Sequence, residues 1–506
     1  MTAGVMRLSR IQVRANWKAM LSWVVLLGGL MVMTTGSIAG LYDTQDKIDT
    51  YAAAVGEGNA LFAINGKIAG IHTLGGVIAN EFGFLASFLI PLMAISLITR
   101  LTRKEEESGR LEMLLAGQVD RAAPVIAALI LAFGSLAFAT LGMFASLLAV
   151  RVPASGALLY AVSLGFLGFV FAAIAAVVAQ VVARGRAVYG IGLAALVVSY
   201  LLRGVGDVTD TFVTWLSPLG WAENTRAYGD ARWWPVAVPV VVTAVLVAVA
   251  VAVAARRDLG SALFKGGASD ETASSFLRTP LGMTLSLHRG SILGWTAISV
   301  VVSATFGAVA QQLNDAIAGN PELGDVFAGG SATVDGVLAV FVLILGFISG
   351  GFIVQTVGTI RGEESSGRLE AMLSGDLGRW RWLGTHLAVI LGGLVVVAGL
   401  GAVALALAVM WSTGHGDLLG RTVGAAAAYA PAVLLFGAVA VVLFGFVPRT
   451  SAVPWVVYAA AVVVAFLGDL LNLSDAVTSV APYNVIGSPP AEDVSTAGLL
   501  GLGAVA

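Results

Sequence analysis

Twelve stretches of apolar residues divide the chain, each bounded by a polar or charged interval. They lie near 21–41, 82–100, 123–149, 157–183, 187–202 and 235–255, then 291–310, 337–360, 384–410, 422–446, 452–468 and from 496 onward. Inside these runs the apolar residues are nearly continuous, with no two-residue alternation. Most approach the roughly 20 residues a helix needs to cross the hydrocarbon core of a bilayer. The pattern predicts an all-α membrane protein of about twelve transmembrane helices. The last run meets Ala506 before it is long enough to span, so the native chain is expected to continue.

The polar intervals set the organisation. Residues 5–19 carry Arg7, Arg10, Arg14 and Lys18 among apolar positions and read as a surface helix ahead of the first span. That span is too long for a signal-peptide core. The longest polar interval, 256–290, is rich in Gly and Ser and reads as a linker. Its end, "TPLGMTLSLHRG", is similar to the N-terminal surface segment. The expected domains are a six-span half over 1–255, a cytoplasmic linker over 256–279 and a second six-span half over 280–506. Two parallel repeats of this kind are one way to build a transport pathway. With the N-terminus in the cytoplasm, 21 of the 28 Lys and Arg fall on the inner side. The seven outside are Lys47, Lys67, Arg151, Arg203, Arg226, Arg232 and Arg421.

Composition sharpens the class. The chain is 58% hydrophobic and 11% charged, where a soluble domain carries about 25% charged residues. Mean hydropathy is +0.91. A net charge of −2 suggests no nucleic-acid partner. The absence of cysteine removes disulfides, thiolate catalysis and Cys-ligated metals.

One charged phrase occurs twice. "RKEEESGRLEMLLAG" begins at Arg103 and "RGEESSGRLEAMLSG" at Arg361. Over nineteen positions the copies share eleven residues, although the halves match poorly elsewhere. Each copy follows the second apolar run of its half. Glu106 and Arg110, like Glu364 and Arg368, are spaced i,i+4 with the acid first. Leu111, Leu114 and Leu115 form an apolar side, matched by Leu369, Met372 and Leu373. Gly109 and Gly367 permit a bend or a close backbone approach. Such a helix suits a groove on a soluble partner; a solvated charge run is the plainer alternative.

These segments resemble the "EE-x-x-GRLE-x-LL" pattern of ABC-type efflux permeases, specifically the fused two-half kind of polyketide-antibiotic or tetronasin-type exporters. The loop "WLSPLGWAENTRAY" (215–228) and its weaker counterpart "SVAPYNVIGSPPAED" (479–493) extend the resemblance. It implies a plasma-membrane subunit of an ATP-driven exporter, with the charged segments docking on a separate ATPase chain in two copies. By that resemblance Glu105, Glu106, Gly109, Arg110 and Glu112, with Glu363, Glu364, Gly367, Arg368 and Glu370, form the two coupling surfaces. The second copy departs at Ser365 and at "GRWRW" (378–382). The resemblance also points to the second and fifth spans of each half as the route of a hydrophobic small-molecule cargo. Phe82, Phe84, Phe88 and Met93 lie in one of these spans, and Phe341, Phe347 and Phe352 in another; packing against neighbours or lipid is their ordinary role.

No catalytic residue and no metal site are expected. G-x-x-x-x-G-K-[ST] is absent, so ATP and Mg would be held by the partner chain. The histidines, His72, His288, His386 and His415, are scattered without ligand spacing. Glu81, Asp335 and Asp469 lie at span edges. Acids in the outer loops, Asp207 and Asp210 among them, read as solvated or as part of an outer lid. Two alternatives remain open: export of a lipid or lipid-linked polymer by the same architecture, and a proton-coupled carrier working alone.

Overall fold

A computed structural model of the chain describes residues 2–56, 65–67, 69–109, 120–257, 275–308, 310–311, 313–314, 334–365, 369–370, 374, 378–446, 453–467 and 474–505. The described residues form helices and no strand. The chain divides into two compact units, Met1–Ser269 and Asp270–Ala506, a division that falls inside the polar interval.

In the first unit the helices are α1 (Thr2–Leu41), α2 (Gln45–Gly56), α3 (Leu74–Leu101), α4 (Arg103–Glu107), α5 (Ala123–Ala149), α6 (Ala154–Val181), α7 (Gly185–Thr209), α8 (Pro218–Glu223) and α9 (Ala237–Arg256). The second unit has α10 (Pro280–Ala308), α11 (Val334–Ser365), α12 (Arg379–Thr413), α13 (Leu418–Ala428), α14 (Ala430–Phe446), α15 (Val453–Leu467) and α16 (Thr496–Val505). The described residues of the apolar runs lie mainly on these helices, and the run at 422–446 is divided between α13 and α14. Among the described residues ten helices are long and apolar enough to cross a membrane, and Val453–Phe466 is a shorter apolar helix.

Burial shows what these helices need around them. α3 packs on α1, α5, α6 and α7, and Ile78, Phe82, Met93, Ile95 and Ile98 are wholly enclosed. α11 is the corresponding centre of the second unit, packed on α10, α12 and α14. In both units the first long helix runs along the third, α1 on α5 and α10 on α12. The outward faces are also apolar: Val32, Met33, Phe138, Leu141 and Val395 are all exposed. Large apolar side chains pointing outward on this scale need lipid for a solvent.

Two boundaries differ from the sequence reading. The N-terminal surface segment is no separate element; it continues without a break into the first span as α1. Leu8, Gln12 and Asn16, spaced i,i+4, turn inward, while Met6, Ile11 and Trp17 stay exposed. Gln12 Nε2 donates to the Leu101 carbonyl at 2.9 Å, and Arg100 Nε donates to Asn16 Oδ1 at 2.7 Å. These bonds hold the segment against the end of α3. α7 likewise continues to Thr209, past 202, and carries Asp207 with it into a buried position.

The two loops of the resemblance are anchored alike. Tyr228 seats its ring against Gly75 of α3 and Gly156 of α6. Tyr483 seats against Gly346 and Gly350 of α11 and donates to the Gly346 carbonyl at 3.2 Å. A Cβ on Gly75 would stand 2.4 Å from Tyr228 Cε1. Gly75→Ala should therefore destabilise the first unit by about 1–3 kcal/mol through overpacking. Gly190→Ala, with open space around that position, should not. Thermal unfolding of the detergent-solubilised variants checks the contrast.

Candidate functional site

The charged segment of the first unit begins where α3 leaves the apolar layer. Thr102 breaks the helical dihedrals with φ −117° and ψ −89°, and α4 carries the charges on from there. Arg103 turns back into the protein and is 1% exposed. Its Nε donates to the carbonyl of Ala179 in α6, and its Nη1 donates to Glu106 Oε2 at 3.0 Å. Arg257, just past α9, reaches the same carboxylate, with Nη2 at 3.0 Å from both oxygens. Glu107 Oε1 accepts from the amide of Gly185, the first residue of α7, at 2.8 Å. A carboxylate there meets the positive end of the helix dipole.

One turn of helix thus ties together the ends of α6, α7 and α9. Glu106 is the centre of the tie, with 9% of its side chain exposed between two arginines. Glu105 is half-buried and Lys104 exposed. Gly109 has φ +70°, the left-handed conformation that glycine adopts most readily, and no described residue lies near its Cβ position. Arg110 and Glu112 lie outside the described residues.

In the second unit, α11 runs without interruption from Val334 into the charged phrase as far as Ser365. Glu363 is buried, while Glu364 and Glu370 are exposed. Gly367 and Arg368 lie outside the described residues.

The aromatic residues of the expected route sit inside their own units. Phe82, Met93, Phe341 and Phe352 belong to the cores. Phe84 and Phe88 are half-buried in edge-to-face contact at 5.4 Å, and Phe88 meets Tyr200 at 4.8 Å. Phe306 lies 5.0 Å from Phe341, and Phe347 lies edge-on to Tyr483 at 5.0 Å.

Against this geometry, the comparisons with known proteins agree over almost the whole chain. A family model described as "Multidrug efflux system permease Rv1217c, C-terminal domain" matches residues 12–254 and 277–506. The multidrug efflux system permease protein Rv1217c of Mycobacterium tuberculosis is 32% identical over 508 residues, covering 99% of this chain and 92% of the relative. The chain belongs to this family of multidrug efflux permeases. It is a multi-pass membrane protein.

The permease also brings together residues that the sequence left apart. His288 of α10 and His386 of α12 meet in the interior, Nε2 to Nδ1 at 3.1 Å. The Trp382 ring lies tilted against His386 with ring centroids 4.8 Å apart, and Thr359 of α11 lies 3.4 Å from His288. Among the described residues no group of three or more His, Cys, Asp or Glu is arranged to hold a metal ion. The Arg103–Glu106–Arg257 tie was equally unseen. Its one sequence cue was Arg103 itself, an identity shared with Arg361.

Removing the centre of the tie takes the shared carboxylate from between the buried Arg103 and the partly buried Arg257. Glu106→Ala should cost about 3–5 kcal/mol, the usual penalty for unpairing a buried charge. Lys104→Ala, at an exposed position on the same turn, should cost under about 1 kcal/mol. Yield of folded permease and its thermal midpoint in detergent read the difference.

Proposed function

We propose that this permease is the membrane subunit of an ATP-driven ABC-type exporter. It would move a hydrophobic or amphipathic small molecule, and it would draw its energy from a separate ATPase subunit present in two copies. The observation that carries this reading is the tie at Glu106. A charged turn clamped to the ends of α6, α7 and α9 cannot shift without shifting those helices, so force applied there by a docked partner would be passed into the bundle. Membership of a multidrug efflux family supports the cargo class. A chain with no phosphate-binding loop in its sequence needs another chain to hold ATP and Mg.

On this reading the two charged phrases are the coupling surfaces of a duplicated, twelve-span protein in the plasma membrane, with both phrases and the N-terminus on the cytoplasmic side. The like pairing of first and third long helices in each unit supports the duplication. ATP binding and release in the partner would alternate the permease between two states, each ligand favouring one of them.

The test is to purify the permease from native membranes in mild detergent and to assay ATP hydrolysis in the eluate. An ATPase subunit should co-elute at about two copies per permease. The double variant Glu105→Lys/Glu364→Lys, altered outside the tie, should insert normally and lose both the partner and drug export. A permease that elutes alone, or a double variant that exports drug normally, would sink the docking reading.

A further inference from the structure

At the opposite end of α3 from the charged turn, the first unit holds a partly open cavity of about 90 Å3. α3, α6, α7 and α8 wall it, together with the loop that carries Tyr228. This is space for a polar head group and several carbon atoms. Gly83 keeps the α3 wall flat; even a Cβ there would come no nearer than 3.5 Å, to the hydroxyl of Tyr160.

The polar side of the cavity has an unequal charge count. Arg203 of α7 faces two carboxylates, with Nε 3.9 Å from Asp207 Oδ2 and Nη1 3.9 Å from Glu223 Oε2. All three are largely enclosed, with 5%, 2% and 14% of their side chains exposed. Thr214 donates to Asp207 Oδ1 at 2.9 Å, and the backbone amide of Lys67 donates to Glu223 Oε1. The other two cations that line the cavity each pair with an exposed aspartate. Lys67 Nζ pairs with Asp210 at 2.6 Å, and Arg226 pairs with Asp230 at 2.9 Å. Two buried acids against one guanidinium leave a single negative charge to be compensated. Burial first, and the Asp207 charge second, push the Glu223 carboxyl well above the usual carboxylate range. A proton on Glu223 would supply that compensation.

A second observation points to a ligand. The Tyr160 hydroxyl is buried and has no hydrogen-bond partner, on a residue only 9% exposed. The Tyr228 hydroxyl likewise has no hydrogen-bond partner, and the two rings lie 5.7 Å apart in the lining that also holds Arg203 and Glu223. A protonated amine answers each feature at once. Its charge balances Glu223, its N–H groups donate to the hydroxyls, the ring faces attract it, and the apolar wall at Leu164 and Leu167 takes its alkyl chain.

We propose that this cavity binds the primary ammonium group of an alkylamine or cationic amphiphile, which takes the place of the proton on Glu223. For each ammonium bound, one proton leaves Glu223 for the solvent, so the charge of the cluster does not change. The inference stands apart from the ATP-driven reading, because the binding needs neither partner nor nucleotide.

The experiment is calorimetry on the purified full-length permease, titrated with hexylammonium, hexanol and hexanoate. Runs in two buffers of different ionisation heat count the protons released. Hexylammonium should bind at least tenfold more tightly than hexanol, with release of about one proton at neutral pH. Its affinity should rise from pH 5 to pH 8, as Glu223 gives up its proton more readily beside Arg203, Asp207, Tyr160 and Tyr228. Glu223→Gln should weaken binding at least tenfold and abolish the proton release. Tyr160→Phe, which removes one hydroxyl and leaves the packing intact, should weaken it several-fold and keeps the test open if the Gln variant does not fold. Preference for hexanoate, binding unchanged in both variants, or no saturable binding of the amine would each overturn the proposal. In the last case, an acid–base transition in protein fluorescence lost in Glu223→Gln would assign the cluster to proton binding alone.

Discussion

Hydrocarbon offers no hydrogen bonds, and the rest of this structure follows from that. Every amide and carbonyl at membrane depth has to find its partner inside its own segment, so the apolar parts of the chain are helices. The same solvent removes the usual reason to hide apolar side chains, and valines and phenylalanines stay on the outside of the bundle. What remains to distinguish inside from outside is close packing and polar satisfaction. Glycines that admit tyrosine rings supply the first, and the buried arginines with their carboxylates supply the second.

This division explains what the sequence made legible. Continuous apolar runs marked where helices lie, because length and hydropathy are properties of single segments. The charged phrase was found by its repetition, and its acids were read as facing outward. The inward turn of Glu106 depends on Arg257, 151 residues away, and no local pattern encodes that partner. The His288–His386 contact spans 98 residues and was invisible for the same reason. The ring that packs against Gly346 and Gly350 belongs to Tyr483, in a loop far along the chain, and no local pattern names it.

Asp207 shows a different kind of failure. Hydropathy ended the fifth apolar run near 202, so the residues beyond it were assigned to a wet loop. α7 continues because Gly206 packs directly against Thr214, whose hydroxyl bonds to Asp207. Arg203 and Asp207, four residues apart, share one helical face, and there they carry their own local compensation. A charged residue near a span end is read by hydropathy as the end of the span. With a partner one turn away it can equally continue the helix.

α1 carries one mechanical consequence. Its 40 residues form a single helix. At 1.5 Å per residue that is a rod of about 60 Å, roughly twice the hydrocarbon thickness. The segment bonded to the end of α3 and the apolar span beyond it are joined by continuous helix. A displacement of the N-terminal end is therefore passed along the helix towards Leu41 instead of being taken up by a loop.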